Sequence, residues 1–353
     1  EANSGLYFNP PFFDLRLFFP SQQSLLTLND PFPTGAGFTP PPTVFAMQPN
    51  FRTAYLQHAN VSIEKALPGR TVVRAAYVAS KGTKLLRQRD INQPPPGEGP
   101  TFLRQPIPGF ANVVLFESAA SSTYHSGQFS LERRFSRGLS FSLGYTISKS
   151  IDDASAFLPT DGDPSFPQNS RDLRAERGLS AFDQRHRFVV AASYVLPFRN
   201  HWAAKDWRFD LIAAIQSGAP LTPQLSFDNS NTGNTGAIAG ADRPDVIGDP
   251  SSGPSTPERF FNTNAFAIPA PFTFGNAGRN ILTGPGSATI DLALGRVFRF
   301  GETARLDFRA EAFNLLNRPN FDLPGRIADQ PGFGAIASAR SARQIQFSLR
   351  LGF

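Results

Sequence analysis

Cysteine is absent from the 353 residues, which rules out disulfides and thiolate metal centres. Charge is scarce as well, with Asp, Glu, Lys and Arg making up 18% of the chain against ~25% in ordinary globular domains. No run approaches the ~20 consecutive apolar residues of a membrane-spanning helix, so a helical membrane protein is excluded. A membrane barrel is not, because its strands alternate apolar and polar residues and average to mild hydropathy. The four histidines, His58, His125, His186 and His201, are scattered without ligand spacing. Met47 is the single methionine, and the chain opens on Glu-Ala-Asn with neither an initiator Met nor a signal peptide. That opening reads as a processed protein or a fragment.

Glycine (29), proline (32) and phenylalanine (35) are plentiful instead, a composition foreign to a soluble helical enzyme. The net charge of +6 comes mostly from arginine. The arginines form no compact stripe, so nucleic acid is not expected as a partner.

Period-2 alternation marks the strands. In Gln128–Phe135, Phe129, Leu131, Arg133 and Phe135 take one face, and Gln128, Ser130, Glu132 and Arg134 the other. After Arg137-Gly138 the pattern resumes, with Leu139, Phe141, Leu143, Tyr145 and Ile147 on one side and Ser140, Ser142, Gly144, Thr146 and Ser148 on the other. This predicts a hairpin with one apolar and one polar face. Ile345, Phe347, Leu349, Leu351 and Phe353 alternate with Gln346, Ser348, Arg350 and Gly352. Further strands are expected at Trp207–Ser217, Thr289–Phe300 and Thr303–Asn314, with noisier ones at Thr53–Ala66, Thr71–Ala79 and Arg187–Phe198. Together these make about nine, most of them at or beyond the ~9–11 residues a tilted strand needs to cross a bilayer. Gly5–Asn9 reads as the tail of another.

The links between strands sort by length. Short ones fall at Pro68-Gly69, Arg137-Gly138, Arg199–Asp206 and Gly301-Glu302. Long ones, rich in Pro, Gly, Asn and Asp, fall at Lys81–Thr123, Asp153–Gln184, Ala219–Ser287 and Asn317–Arg343. They alternate, so all the short links share one side of a sheet and all the long ones the other. That is the asymmetry of periplasmic turns and extracellular loops in outer-membrane barrels. The expected fold is all-β: an antiparallel transmembrane β-barrel, partial, since about nine strands with no second edge partner do not close in lipid.

Several segments, in order, resemble Oar-like TonB-dependent outer-membrane receptors. They are YHSGQFSLERRFSRGLSFSLGYTISKSIDD (Tyr124–Asp153), PNFRTAYLQHANVSIEKALPGRTVVRAAYVASKGTKLLR (Pro49–Arg87), RAERGLSAFDQRHRFVVAASYVLPF (Arg174–Phe198) and RLDFRAEAFNLLNRPNF (Arg305–Phe321). RQIQFSLRLGF (Arg343–Phe353) is similar to the family's terminal strand. The resemblance runs from about Asn9 onward. It implies a barrel of roughly 22 strands, of which residues 1–353 would be the C-terminal part, about nine or ten strands. It also implies an N-terminal plug, a TonB box and a carboxypeptidase-regulatory-like domain, none of which lies in this sequence. The implied function is uptake of a large or scarce solute, drawing on an inner-membrane TonB complex. Outer-membrane lipid and the barrel-assembly machinery are the other implied partners. A structural or adhesive barrel without transport is the alternative.

No G-x-S-x-G elbow, Walker A loop or H-E-x-x-H motif is present, so neither an enzymatic activity nor a cofactor is expected. Asp152-Asp153 and Asp161-Gly162-Asp163 lack the regular oxygen spacing of a calcium loop. His125 with Ser126, and His186 with Asp183, are sequence neighbours and not a spatial triad. The polar-face charges Glu132, Arg134, Arg309, Glu311 and Arg350 are expected to face a lumen, where they pair across strands, hold a plug by ion pairs or line a solute path. Arg171, Arg174, Glu176 and Arg177, in a loop dense in both signs of charge, are candidates for ligand contact or for self-pairing. Phe260, Phe261, Phe266, Phe272 and Phe274 are expected to pack the longest loop. Phe347, Leu349, Leu351 and Phe353, sharing one face of the last strand, are the candidate assembly signal.

Overall fold

Two-faced alternation needs a sheet that presents one side to an apolar medium and the other to water. The computed structural model, which describes residues 7–13, 15–20, 26–33, 37–156, 165–198, 205–235, 240–301 and 303–353, is built on such a sheet. Its strands are β1 (Val44–Met47), β2 (Tyr55–Leu67), β3 (Thr71–Asp90), β4 (Val113–Ser136), β5 (Leu139–Asp152), β6 (Gly178–Leu179), β7 (His186–Val195) and β8 (Arg208–Gln216). They continue with β9 (Pro220–Leu221), β10 (Asp245–Val246), β11 (Phe266–Ala267), β12 (Leu282–Thr283), β13 (Ser287–Phe300), β14 (Ala304–Phe313) and β15 (Gln344–Gly352). The nine long strands form an antiparallel meander in the order β15-β14-β13-β8-β7-β5-β4-β3-β2. All nine overlap expected strands, β3 and β4 running well beyond them. β2 and β15 are the two ends of this order, so the sheet is open among the described residues.

Turn chemistry fixes the register at one rim. Arg137 (φ 50) and Gly138 (φ 80) both take positive φ, as a two-residue I′-type hairpin requires. A Cβ on Gly138 would stand 2.7 Å from the carbonyl oxygen of Val195, so no other residue fits there without moving β7. Gly69 and Arg70 repeat the positive-φ pair between β2 and β3. Of the other two short links, residues 199–204 and Glu302 lie outside the described residues.

The register carries each face continuously from strand to strand across the sheet, one row apolar and the next mixed with polar and charged residues. One row reads Val73, Leu131, Leu143, Val190, Ala213 and Ile290 from β3 to β13. The next row, on the opposite face, reads Val72, Glu132, Ser142, Ala191, Ile212 and Asp291. Among the described residues no protein layer covers the apolar face: Ile63 is 75% exposed and Phe347 71%. A continuous uncovered apolar surface of this kind implies an apolar partner.

Two sequence expectations need correction. Lys81–Thr123 is not all loop, because β3 continues to Asp90 and β4 begins at Val113. Beyond Ser80 the strands leave the two-faced region. Loops pack on both sides there, so alternation no longer reports strand structure. A register irregularity around Leu85 also shifts the pattern. In Gly5–Asn9, residues 7–9 form a turn and not a strand, and the Asn9 side chain is tied to Phe45 through both Oδ1 and Nδ2. Residues 5 and 6 are outside the described residues.

Candidate functional site

The polar face carries the expected charges in three places. On β14, Arg309 Nε donates to Glu311 Oε1 at 2.8 Å, and its Nη1 donates to Asp210 Oδ2 of β8 at 3.3 Å. Asp210 also accepts from Arg208 Nε at 2.7 Å. β13 lies between β8 and β14. Arg309 spans it because its β13 neighbours on this face, Gly295 and Ala293, are small. These ion pairs are half exposed, so they order the face more than they stabilise it. Glu132 and Arg134 line a hollow of about 530 Å³ with Ser140, Ser142, Ser193 and Asp210. Arg350 shares the polar face of β15, opposite Asp307.

At the rim opposite the turns, the long connections interlock into one polar body. Gln93 Nε2 donates to the Gln168 carbonyl (2.9 Å) and to Asn234 Oδ1 (2.9 Å), and its Oε1 accepts from Ser170 N (2.7 Å). Arg279 Nε donates to the Glu176 carbonyl at 2.7 Å and Nη2 to the Asp152 carbonyl at 2.8 Å, with an ion pair to the Asp152 carboxylate. Arg243 pairs with Glu176, both side chains being almost fully buried. The connection after β14 joins through Asp329, which accepts from Ser226 N at 2.8 Å. Apolar plugs support this body. Leu221, Phe261 and Leu282 are buried with Phe260, Phe266 and Phe333 around them.

The candidate ligand loop is therefore divided. Glu176, expected there as a contact residue, is buried and committed to Arg243 and to Gln168 N (3.1 Å). A carboxylate so placed cannot meet a solute, and the ligand set loses it. Arg171, Arg174 and Arg177 are exposed on the same segment. Asp152 and Asp153 are also spoken for, by Arg279 and by Ser121 N (2.8 Å), while Asp161-Gly162-Asp163 lies outside the described residues. His125 and His186 hydrogen-bond to Tyr77 and Tyr145. Ser126 lies on the opposite face of β4 from His125, so the two do not form a catalytic pair. Phe260, Phe261 and Phe266 pack as expected, whereas Phe272 is exposed. Nothing local in the sequence marks Arg243 or Arg279, because their partners lie 67 and 127 residues away.

Burial pushes the carboxyls of Asp242 and Asp183 upward, against the hydrogen bonds each accepts. Asp242 takes Ser230 N (2.6 Å), Ser230 Oγ (3.0 Å) and Asn234 Nδ2 (2.7 Å). A group whose pKa is raised in the folded state favours the fold while protonated, and ionisation on raising the pH removes that contribution. The stabilisation is thus full below the ordinary value of 3.8 and declines as the pH climbs through the raised value. Hydrogen exchange of the Ser230 amide, which donates to Asp242, corrected for intrinsic rate, should show protection falling as the pH is raised from 4. Protection that rises over that interval would contradict the assignment.

The sequence model of a family described as outer membrane beta barrel domain matches residues 1–346. No curated protein matches the chain. Among solved structures it is similar to the outer membrane transporter YddB from Escherichia coli, at 11% identity and a TM-score of 0.47, over 90% of this chain and 35% of that one. It is similar also to the ferric-catecholate import receptor Fiu from E. coli, at 13% identity and a TM-score of 0.42, over 86% and 28% of the two chains. A third is FpvA of P. aeruginosa, at 10% identity and a TM-score of 0.44, over 84% and 27%. The chain thus spans about a third or less of each of these proteins.

Proposed function

The chain belongs to the outer membrane beta barrel domain family, and from that premise we propose that it is the C-terminal part of a TonB-dependent receptor barrel that takes up a large or scarce solute. The observation that carries the reading is the open meander, nine strands with one predominantly apolar face and β2 and β15 at its ends. In a bilayer every backbone N–H and C=O must be paired within protein, so a sheet of this kind needs further strands to close it. The Oar-like receptors that the sequence resembles have such a barrel, with a plug inside. The charges Glu132, Arg134, Arg309, Glu311 and Arg350 then face the lumen. Arg171, Arg174 and Arg177 are offered at the outer mouth. In this reading the chain is a transporter and not an enzyme.

The test uses the intact gene product in its own cells. Site-specific crosslinking from its N-terminal region to TonB, together with loss of solute-dependent growth in both the receptor and TonB deletions, is the expected result. A protein that reaches the outer membrane, forms no TonB crosslink and alters only surface attachment when deleted would be the adhesive alternative.

β15 supports a second role within the same reading. Phe347, Leu349, Leu351 and Phe353 are all exposed on one face, and we propose them as the recognition signal for the assembly machinery. Deleting Phe353 should leave chains unassembled in the periplasm. Normal outer-membrane levels with a stability loss of only ~1–3 kcal/mol, the value of one apolar contact, would reject the signal role.

A further inference from the structure

The apolar face carries a duplicated arrangement at the rim nearest the long loops. β3 contains Tyr77-Val-Ala-Ser-Lys81 and β5 contains Tyr145-Thr-Ile-Ser-Lys149. In each, Tyr and Lys are four residues apart and so share the apolar face of the strand. The neighbouring strand supplies a histidine at the same register both times. His125 of β4 is paired with Ala79, two residues on from Tyr77, and His186 of β7 with Ile147, two residues on from Tyr145. The side chains meet in the same way. Tyr77 Oη lies 2.7 Å from His125 Nδ1, and Tyr145 Oη lies 2.8 Å from His186 Nδ1, with each ring pair stacked.

A lysine on a lipid-type face is costly at mid-depth and acceptable only near the interface. Both lysines lie beyond the tyrosines, on the loop side. Within the nine long strands, this face from the turns up to Lys81 and Lys149 contains no Asp or Glu. Among the described residues two carboxylates flank the rim: Asp183 is buried, accepts from Ser150 N and is attracted to Arg185 and Lys149, while Asp153 accepts from Ser121 N and pairs with Arg87. Lys149 and both histidines are exposed. Lys81 is half-buried and donates to Thr123 Oγ1 at 3.2 Å. In the tautomer in which the phenol donates to Nδ1, each imidazole keeps a proton on Nε2 and is a donor. Each triad thus offers a cation and a ring N–H.

We propose that the two Tyr-His-Lys triads, Tyr77/His125/Lys81 and Tyr145/His186/Lys149, form a paired phosphate-binding rim for the phosphorylated glycolipid headgroup of the outer leaflet. The proposal rests on the membrane-barrel reading, which places this face against lipid and the loop rim outside the cell. The lysine positions are about 12 Å apart across the sheet, judged from strand spacing and rise. One headgroup carrying two phosphates can therefore engage both triads, and engaging both raises the affinity above that of either alone.

The experiment is a lipid titration of the purified full-length protein, followed by native mass spectrometry. The probes are diphosphoryl lipid A, monophosphoryl lipid A, phosphatidylglycerol and inorganic phosphate. Diphosphoryl lipid A is expected to bind about tenfold or more tightly than the monophosphoryl form, with the other two weaker still. The K81Q/K149Q double variant should abolish that preference, and K81R/K149R should retain it. K65Q, at the turn rim, should leave it unchanged. Equal binding of phosphatidylglycerol, or an unchanged preference in a K81Q/K149Q protein that still shows heat-modifiable migration, would overturn the proposal. The transporter reading is tested separately by the TonB crosslink. A protein that fails to run as a heat-modifiable barrel at all would refute the membrane reading and this site with it.

Discussion

Arginine in place of Leu143 is expected to destabilise the barrel by about 2–4 kcal/mol, while arginine in place of Ser142 is tolerated. The two positions are adjacent on β5 and differ only in the face they occupy. Leu143 stands in a row with Val73, Leu131, Val190, Ala213 and Ile290, and no residue of that row can pair with a guanidinium. A charge there would have to snorkel toward an interface or draw water into hydrocarbon, and either route is costly near mid-depth. Ser142 instead borders the hollow on the polar face, with Glu132 its direct partner on β4. The check is urea unfolding of the full-length protein refolded into bilayers, one variant at a time. Equal losses at the two positions would mean that the face of Leu143 does not meet lipid, and the membrane assignment would fail with it.

How far the sequence could be read follows from where alternation operates. In Gln128–Phe135 and Leu139–Ile147 a single solvent boundary runs along each strand, so every second residue reports its face and the hairpin was legible residue by residue. The same strands continue to Val113 and Asp152, where loops cover both sides. Val114 and Phe116 are packed there against Phe166 and Phe45, Glu117 pairs with Arg87 and Arg89, and the period-2 signal has no boundary to follow. That Arg309 and Glu311 share the polar face was visible from their i, i+2 spacing, whereas their pairing within one strand was not. Nor was the reach of Arg309 to Asp210, since that depends on Gly295 and Ala293 of an intervening strand. The loop body was the least legible part. Its specificity lies in single hydrogen bonds between segments more than 60 residues apart, such as Gln93 with Asn234 and Arg243 with Glu176, which leave no periodic trace.

Replacing Arg243 by alanine should have the largest effect in that loop body, about 3–5 kcal/mol, because it leaves a buried carboxylate without its cation. Glu176 would keep only Gln168 N as a direct donor to its carboxylate, in surroundings from which water is almost excluded. The cost should appear as local opening of residues 165–180 and 240–247 and not as loss of the sheet, whose hydrogen-bond ladders do not involve either residue. A double variant, Glu176→Gln with Arg243→Met, removes both charges while keeping most of the volume. It should recover much of the loss, since the desolvation of two ions disappears along with their attraction. The recovery is favoured further by Arg243 Nε, which has no hydrogen-bond partner among the described residues even with the pair intact. Limited proteolysis of the loops on barrels that still show heat-modifiable migration reads the two variants side by side. Rapid cleavage in Arg243→Ala and near-normal resistance in the double variant is the expected result. Resistance in both would mean that the pair holds nothing in place, and that Glu176 is free to return to the set of residues that meet a solute.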